Sequence, residues 1–552
     1  MMKYDRRAVM AGGAALGAMQ MVSGFDMMAN AGPMETRVTD TPLGKVRGTR
    51  TPSGFVYRGL PYAAAPVGHL RFRPPVPARP WAGIRDATQL PAVCPQSTAS
   101  VKSNTGYMHE LAELFVPWQR KMDEDCLTVD VWTPASDGRK RPVMVWIHGG
   151  GFSSGCGSDP LYDGVGFNRD DVVLVTVTYR LHAFGFLYLD GLFEGASGTG
   201  NCGIYDQIAA LRWVQQNISA FGGNPANVTV FGQSAGGAAV GNIMATPAAR
   251  GAYHRVILQS GVFANKLPDE ARTATARFLQ EINVRPGDWA ALEAVPTDVI
   301  VRKATELPML LAGVGMAGSF PFSPVMDGVA RDKQPIEMVA AGSAAGVDAV
   351  IGTDQDEARL FVFGGNSTIN GNFPKPDLIK LLGPQRGQAL QDYYAGRGLV
   401  DARDIMAAVQ TDQMFTGPGI LLADALAARD EGAVYRYRFD WRSPVNGGNL
   451  GAFHTIEVPF VFDRLDCATL VGNSPPVDLA RQVHGAWCRF ARTGDPNGKG
   501  LPEWPHYDRA TRQAMIFDTA SQARADPDAI VRRAWAEPSA GTGTAIPGDR
   551  AR

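Results

Sequence analysis

The sequence predicts an α/β fold with a mostly parallel, twisted central sheet and helices on both faces. Two runs carry this prediction, the fully apolar 143–147 and the β-branched and aromatic 228–231, because such runs are typical of strands buried in a parallel sheet. Between them, residues 203–220 place apolar side chains at helical spacing. Strands that alternate with helices in this way predict a parallel sheet wrapped on both faces.

Length and composition indicate a globular protein with a large core. The 552 residues are 45% hydrophobic and 19% charged, with a formal net charge of −1. This near-neutral chain lacks the basic field that binds nucleic acid, so no nucleic-acid partner is expected. No apolar run of about 18 residues follows the N-terminus, so stable membrane insertion is not expected either. With no repeat or linker, 32–552 is expected to be one domain, with a disordered tail after about 538.

The N-terminus has the features of an export signal. Arg6 and Arg7 precede a weakly apolar run at 8–21, and the Ala-Asn-Ala at 29–31 forms a cleavage site before Gly32. Paired arginines before a mild, Ala- and Gly-rich run resemble a twin-arginine signal. We expect removal of 1–31 and a periplasmic or secreted protein, with a disordered cytoplasmic N-terminus as the alternative.

Further elements follow in chain order. Short strands are expected between 38 and 57, and alternating apolar and polar residues predict a half-buried strand at 127–131. The rest of the prediction comprises strands at 172–179, 255–258, 348–352 and 433–441, a helical and loop-like region at 262–345, a helical lid or cap insertion at 375–430, and a helix at 478–492.

A candidate nucleophile follows the strand at 228–231. The chain continues as Gly232-Gln233-Ser234-Ala235-Gly236 and then into small, helix-compatible residues. Strand, sharp turn and helix in that order lift a serine hydroxyl out at the end of a sheet. A Cβ at either glycine would collide with the neighbouring strand or helix. The N–H of Ala235, at the helix N-terminus, can receive an oxyanion.

A second glycine-rich segment follows the strand at 143–147. It reads His148-Gly149-Gly150-Gly151-Phe152, and three consecutive glycines let backbone N–H groups turn towards a ligand without steric cost. Together with the serine motif, it indicates the oxyanion loop of lipases and esterases. His148 is expected to orient this loop.

A serine nucleophile needs a histidine base, which in turn needs an acid. This motif implies the chain order serine, acid, histidine, which leaves His454, His484 and His506. His484 lies within an amphipathic helix and is expected to be structural, and His506 lies in a surface-like turn. His454 follows the last core strand through a Gly-rich loop, which makes it the candidate base.

Three carboxylates lie in the loop expected to supply the acid. Asp354, Asp356 and Glu357 follow the strand at 348–352, and position alone does not separate them. At least one is expected to be a solvated loop charge. The six cysteines show no C-x-x-C spacing, so a zinc or redox motif is not indicated.

Taken together, these motifs resemble the type B carboxylesterases, α/β-hydrolases that include cholinesterases and bacterial para-nitrobenzyl esterases. The resemblance covers nearly all of 37–518. It is carried by segments 59–63, 124–127, 148–152, 200–201, 206–207, 221–225, 232–237, 356–357 and 490–497.

The resemblance implies roles for specific residues. The family's Asp-Glu motif uses its glutamate, which implies Glu357 as the acid, with His454 as the base. It implies the N–H groups of Gly150, Gly151 and Ala235 as oxyanion donors. It also supports a disulfide between two of the cysteines, Cys94 and Cys126, which export would permit; the other four are expected to be buried residues or free thiols.

Comparison with the cholinesterases limits the substrate. They carry glutamate where this chain has Gln233, and their choline-stacking tryptophan falls near Val116, two positions from Trp118. A cationic choline ester is therefore disfavoured, and a neutral ester is the expected small-molecule partner. The candidate pocket residues are Trp118, Phe152, Gln233, Phe320 and Phe322.

The sequence therefore predicts hydrolysis of carboxylic esters through an acyl-enzyme, with no metal and no organic cofactor. An amidase or a lipase on the same triad is the alternative among enzymes. A non-catalytic binding protein on the hydrolase fold is the alternative from another class.

Overall fold

The computed structural model describes residues 35–103, 107–115, 117–261, 265–310, 320–363, 375–429 and 431–536. The expected export signal, Val116 and the expected disordered tail lie outside them. A single sheet of 13 strands runs through the described residues. The strands are β1 (Thr36–Thr41), β2 (Gly44–Thr51), β3 (Gly54–Pro61), β4 (Ile84–Asp86), β5 (Thr128–Thr133), β6 (Arg141–Ile147), β7 (Val173–Val177), β8 (Gly223–Gln233), β9 (Arg255–Gln259), β10 (Asp348–Asp354), β11 (Val434–Phe439), β12 (Gln513–Phe517) and β13 (Gln522–Ala525).

The sheet is parallel at its centre and antiparallel at both ends. The order is β1-β2-β3-β5-β7-β6-β8-β9-β10-β11-β12-β13, with β4 paired to β2. All neighbours from β7 to β12 are parallel. The register places Ile147 of β6 beside Gly232 of β8. The carboxyl ends of β6, β8, β10 and β11 therefore meet at one edge.

Helices cover both faces of the sheet. On β6, Val145 and Ile147 belong to one apolar cluster and Trp146 to another, because successive residues of a strand point to opposite faces. The α-helices are Ala99–Ser103, Tyr107–Phe115, Val165–Arg169, His182–Phe186, Cys202–Asn217, Ala235–Ala245, Pro268–Glu281, Trp289–Ala294, Thr297–Leu310, Pro335–Ala340, Arg359–Phe363, Leu378–Leu382, Pro384–Gly396, Ala402–Thr411, Gly417–Ala427, Val458–Val461, Ala468–Val471, Val477–Thr493 and Ala529–Val531.

Strand β5 differs from its prediction. Alternating residues predicted a half-buried strand, but all six residues of β5 are buried. The reason is its position between β3 and β7, where both of its faces are covered. Its polar Asp130 accepts a hydrogen bond from the Gly59 N–H at 2.8 Å and lies 3.4 Å from the Arg58 guanidinium.

The expected insertion at 375–430 is helical within its described residues. Helices Ala402–Thr411 and Gly417–Ala427 are joined by a π-helical turn, Asp412–Thr416. Pro418 has no N–H with which to continue an α-helical ladder across this point, and such turns often occur at functional sites. Within the described ranges, no helix is both long enough and apolar enough to span a bilayer.

The π-helical turn contains a buried carboxyl group that makes stability depend on pH. Asp412 is buried and accepts a 2.6 Å hydrogen bond from the Tyr394 hydroxyl. Burial raises the pKa of Asp412 to about 7. The unfolded value is about 3.9, so the folded protein holds this proton when the unfolded chain has lost it. Stability from this group is present below about pH 4 and is lost as the pH rises to about 7.

We expect Asp412→Asn to remove that loss, because an amide keeps an acceptor for Tyr394 and cannot ionise. Urea unfolding measured between about pH 4 and pH 7 should show the free energy of unfolding of the variant rising relative to that of the wild type. The rise should reach a few kcal/mol, at about 1.4 kcal/mol per unit of pKa shift. Asp392→Asn, at an exposed site on helix Pro384–Gly396, is the control. If the Asp412 variant and the wild type follow parallel curves, the assignment is wrong.

Candidate active site

The serine of the Gly-x-Ser-x-Gly motif lies in a strained turn. Ser234 has φ 58° and ψ −126°, directly after β8 and directly before helix Ala235–Ala245. A positive φ is uncommon for a residue other than glycine and often marks a functional site. The Ser234 N–H donates a 2.9 Å hydrogen bond to the Gln259 carbonyl at the end of β9. The two strand ends therefore hold the turn in place.

The glycines on either side permit a very close backbone approach. A Cβ on Gly232 would lie 2.6 Å from the carbonyl carbon of Gly236 and 2.7 Å from the Ile147 oxygen, and a Cβ on Gly236 would overlap that same oxygen. The predicted collisions are confirmed. Helix Ala235–Ala245 can begin immediately after the serine because both positions lack side chains.

The three-glycine loop lies beside the serine. A Cβ on Gly149 would be 3.1 Å from the Ser234 Cβ. Gly150 and Gly151 have φ values of 103° and 63°, which favour glycine. Their N–H groups donate to no acceptor in the part of the chain that the structure describes. Those two groups and the first N–H of helix Ala235–Ala245 are the candidate oxyanion donors.

One of the three candidate carboxylates contacts the candidate base. The Glu357 Oε2 lies 2.6 Å from Nδ1 of His454, and both side chains are buried. The His454 N–H also donates to the Glu357 carbonyl at 3.2 Å. A carboxylate oxygen can only accept, so the bond between Glu357 Oε2 and Nδ1 places a proton on Nδ1. The lone pair of Nε2 then faces away from Glu357.

The expectation of a solvated loop charge is wrong, because all three carboxylates are buried. Asp356 lies 3.0 Å from the Arg397 guanidinium and 2.9 Å from that of Arg442. Asp354 is the last residue of β10 rather than a loop residue. Its backbone N–H donates to Glu357 Oε1 at 2.9 Å, so both oxygens of Glu357 are bonded.

Glu457, a buried acid that the sequence had not indicated, lies next to Asp354. Burial, followed by the charges of Glu457 and Glu357, raises the pKa of Asp354 well above its usual range. Burial also raises the pKa of Glu457, which hydrogen bonds to Asp354. The raised pKa values favour the protonated form of these two carboxyl groups. Gln259 links Glu457 at 3.2 Å to the Trp487 indole N–H at 3.1 Å.

Gln233 contacts the imidazole directly. Its amide nitrogen lies 3.2 Å from Nε2 of His454, so at rest the amide donates to the lone pair that a serine proton would use. Gln233 is a buried, neutral group at a position where a carboxylate would favour the imidazolium.

Two aromatic rings border the imidazole, and the sequence analysis had not selected either. Phe361 and Phe415 have ring centroids 5.3 Å and 4.9 Å from that of His454. Phe415 is buried within the π-helical turn, whereas Phe361 is 48% exposed. The signal for Phe361 was its position four residues after Glu357.

The other candidate pocket residues have different surroundings. Phe320 is 46% exposed, and its ring would be 3.2 Å from a Cβ on Gly151. Phe322 packs in the core, edge-on to Phe278 at 5.2 Å, and Phe152 packs edge-on to Phe186 at 5.0 Å. Trp118 is 41% exposed, and no hydrogen bond or ring contact among the described residues joins it to the serine, acid or histidine.

His148 is part of the glycine loop. Its Nδ1 lies 2.8 Å from the Gly149 carbonyl, and its ring stacks on Tyr179 at 4.4 Å. Burial lowers the pKa of His148 to about 4, so the ring is neutral at pH 7. His506 lies elsewhere, edge-on to Tyr435 at 4.7 Å.

The two cysteines of the expected disulfide are buried free thiols in this structure. A hydrogen bond from Cys126 to Cys94, together with burial, raises the pKa of the Cys126 thiol. The disulfide therefore stays a prediction.

Comparisons with known proteins agree with this geometry. A sequence model of the carboxylesterase family matches residues 35–531. The para-nitrobenzyl esterase of Bacillus subtilis (strain 168) is 35% identical over 505 residues, covering 91% of this chain and 98% of that protein. The cocaine esterase of Oryctolagus cuniculus is 33% identical over 512 residues, covering 87% and 92%. A solved Geobacillus stearothermophilus carboxylesterase, 39% identical, has a TM-score of 0.78 and covers 90% and 99%. The predicted α/β-hydrolase fold is confirmed.

We expect Gln233→Glu to shift the pH dependence of serine reactivity. A carboxylate about 3 Å from the imidazole stabilises the imidazolium and raises the pKa of the base by about 1 unit or more. The rate of Ser234 labelling by a fluorophosphonate decreases as the pH is lowered and the base takes up a proton. In Gln233→Glu the midpoint of this decrease should lie at a correspondingly higher pH. Gln233→Leu, which removes the hydrogen bond from the amide to Nε2 and adds no charge, should raise the midpoint by less than Gln233→Glu does. Equal midpoints for both variants would exclude this placement of Gln233.

Proposed function

The chain belongs to the carboxylesterase family and is a serine carboxylic-ester hydrolase, and we propose that Ser234, His454 and Glu357 are its catalytic triad. The observation that carries this proposal is the 2.6 Å hydrogen bond from His454 Nδ1 to the buried Glu357, at the same sheet edge as the strained Ser234. Ser234 directly follows β8, Glu357 lies three residues after β10, and His454 lies in the chain that follows β11 and is held against Glu357.

Acylation begins at Nε2 of His454. Because Glu357 fixes the proton on Nδ1, Nε2 can take the proton of Ser234 as its Oγ attacks the ester carbonyl carbon. The Gln233 amide turns away from Nε2 to admit the hydroxyl. The imidazolium that forms is stabilised by the ionised Glu357.

The oxyanion of the tetrahedral intermediate accepts hydrogen bonds from the N–H groups of Gly150, Gly151 and Ala235. The positive end of helix Ala235–Ala245 adds to this stabilisation. Removal of one such donor raises the barrier by roughly 3–4 kcal/mol in comparable sites.

Collapse of the intermediate breaks the bond to the alcohol oxygen, and His454 donates its Nε2 proton to that leaving group. Water then gives a proton to His454 and attacks the acyl-enzyme, and Ser234 regains its proton as the acid leaves. The balance is one ester and one water to one alcohol and one carboxylic acid.

We propose that the substrate is a neutral ester with an aromatic ring. Gln233 places a neutral amide beside Nε2 of His454, at a position where a carboxylate would attract a cation. The half-exposed rings of Phe361, beside His454, and Phe320, beside Gly151, offer faces on which an aromatic group stacks. Two relatives are named for a para-nitrobenzyl ester and for cocaine, both of which are esters that carry an aromatic ring. An amidase, a lipase or a non-catalytic binding protein is not favoured, because the relatives named above are esterases.

We also propose that the protein is exported and that Cys94 and Cys126 become a disulfide. The paired arginines and the Ala-Asn-Ala site support export, and an oxidising compartment permits the bond. The burial of both thiols and the hydrogen bond between them support the pairing.

We expect Ser234→Ala to lower kcat for para-nitrophenyl esters roughly ten-thousand-fold or more and to abolish fluorophosphonate labelling, located by peptide mass. Ser260→Ala is the control, because Ser260 also follows a parallel strand with a positive φ of 52°. A Ser234 variant that retains near-wild-type kcat would refute the nucleophile. Esters of increasing chain length, run with the wild type, measure the depth of the acyl pocket.

We expect the exported protein to contain one Cys94–Cys126 disulfide, seen as a linked peptide pair by non-reducing mass mapping. Closure of a loop of about 30 residues stabilises by roughly 3–4 kcal/mol in the chain-entropy model. Cys94→Ser should therefore lower the free energy of unfolding by a comparable amount under oxidising conditions. Cys202→Ser, at another buried cysteine, is the control. Two free thiols in the exported protein would refute the pairing.

A further inference from the structure

Three potential ligand side chains from distant parts of the chain converge outside the triad. Asp170 follows helix Val165–Arg169 on the amino side of β7, and His484 and Cys488 lie one turn apart on helix Val477–Thr493. One ligand atom from each lies within 4.8 Å of the others. His484 and Cys488 are buried, and Asp170 is partly exposed. The triad, in contrast, follows the carboxyl ends of the strands.

The surroundings of His484 fix which ring nitrogen faces this cluster. Nδ1 lies 2.7 Å from the Val461 carbonyl oxygen, which can only accept, so Nδ1 carries a proton. The ring packs against Phe167 at 4.8 Å, and a Cβ on Gly166 would be 3.3 Å from its Cε1. The ring therefore presents Nε2 to the cluster. A backbone carbonyl on the far nitrogen is the usual way in which proteins orient a metal-binding histidine.

Nε2 faces two electron-rich atoms. It lies 2.9 Å from Asp170 Oδ2 and 3.5 Å from Cys488 Sγ. The lone pairs of a neutral Nε2 and a carboxylate repel at 2.9 Å unless a cation lies between them. That cation is either a proton on Nε2 or a metal ion bound by all three atoms.

We propose that Asp170, His484 and Cys488 bind one divalent transition-metal ion, with Zn²⁺ the best match to their donor set. Nitrogen, thiolate sulfur and carboxylate oxygen are the ligands that zinc prefers. A dication balances one carboxylate and one thiolate, and its binding displaces the thiol proton.

The separation of the nitrogen and sulfur ligand atoms suits a tetrahedral ion. Bonds of about 2.0 Å to nitrogen and 2.3 Å to sulfur place those two ligands about 3.5 Å apart, which is the separation of His484 Nε2 and Cys488 Sγ. The oxygen ligand needs to move about 0.5 Å away from Nε2 and to lie about 3.5 Å from Sγ; the three ligand atoms now lie within 4.8 Å of one another. Asp170 can do so because its side chain is 42% exposed. The same exposure lets the ion enter and lets water take the fourth position.

Arg169 competes with the ion for Asp170. Its guanidinium lies 3.2 Å from the same Oδ2, and it also pairs with Asp463 at 2.7 Å. Arg169 is itself exposed, so its guanidinium can leave Asp170 and keep Asp463. Removal of this positive charge should strengthen metal binding.

The ion would join the segment before β7 to helix Val477–Thr493 and to the chain at Val461. It touches none of the reacting atoms of the ester, so its expected effect is on stability rather than on kcat. No metal site was expected from the sequence, because the C-x-x-C pattern detects only ligands that lie close together in the chain. Here Asp170 and His484 lie 314 residues apart.

The test uses the mature protein, freed of metal with a chelator and titrated with Co²⁺ alone. We expect one equivalent to bind, with a thiolate-to-cobalt charge-transfer absorption in the near ultraviolet and the visible bands of tetrahedral cobalt. Zn²⁺ should abolish both and raise Tm, with kcat for a para-nitrophenyl ester unchanged. Ser234→Ala should bind Co²⁺ like the wild type, which separates this site from the triad.

Variants assign the ligands. Cys488→Ser should remove the charge-transfer band and weaken Co²⁺ binding at least tenfold, whereas Cys467→Ser, at a half-buried cysteine outside the cluster, should change neither. Asp170→Asn should weaken Co²⁺ binding and keep the charge-transfer band. Arg169→Gln should tighten Co²⁺ binding. Ester hydrolysis by each variant reports that it is folded. Absence of a thiolate band at saturating Co²⁺, or its persistence in Cys488→Ser, would overturn the proposal; if Cys488→Ser does not fold, unaltered binding by Asp170→Asn and Arg169→Gln would do so.

Discussion

Parallel pairing from β7 to β12 brings the carboxyl ends of these strands to one edge of the sheet, and the site depends on that constraint. β6 ends directly before the glycine loop, β8 ends at Gln233 directly before Ser234, and β10 ends at Asp354, three residues before Glu357. The close approach of Gly232 and Gly236 to the Ile147 carbonyl sets the distance between the serine turn and the glycine loop. A side chain at either glycine would separate the serine turn from the glycine loop.

Three carboxyl groups are buried together on the acid side of the site, and their pKa values are adjusted accordingly. Glu357, Asp354 and Glu457 are all buried within the same region, and three ionised carboxylates there would be strongly unfavourable. The raised pKa values of Asp354 and Glu457 favour their protonated forms and so reduce that repulsion. Glu357 has hydrogen-bond donors on both oxygens, so it is the carboxylate that best bears the charge facing His454.

Helix Val477–Thr493 serves both regions. Its Trp487 donates to Gln259 and so reaches the Asp354–Glu457 pair, while His484 and Cys488 face Asp170. The helix therefore supports the acid from behind and, under the metal proposal, is itself anchored to the segment before β7. The sequence indicated that His484 lies within an amphipathic helix. It did not indicate that the ring contacts Val461 and Asp170.

The sequence by itself determined the elements and motifs that depend on local pattern: the apolar β6, the strand–turn–helix around Ser234 and the three-glycine loop. These follow from backbone sterics and side-chain periodicity, which act over a few residues. Tertiary structure decided the rest. Position alone left Asp354, Asp356 and Glu357 open, and the family resemblance implied Glu357. The structure shows that Glu357 contacts the imidazole, that Phe361 and Phe415 flank it and that Asp170 meets His484. Those contacts join residues far apart in the chain, and burial, charge and packing in three dimensions select among partners that local sequence leaves equivalent.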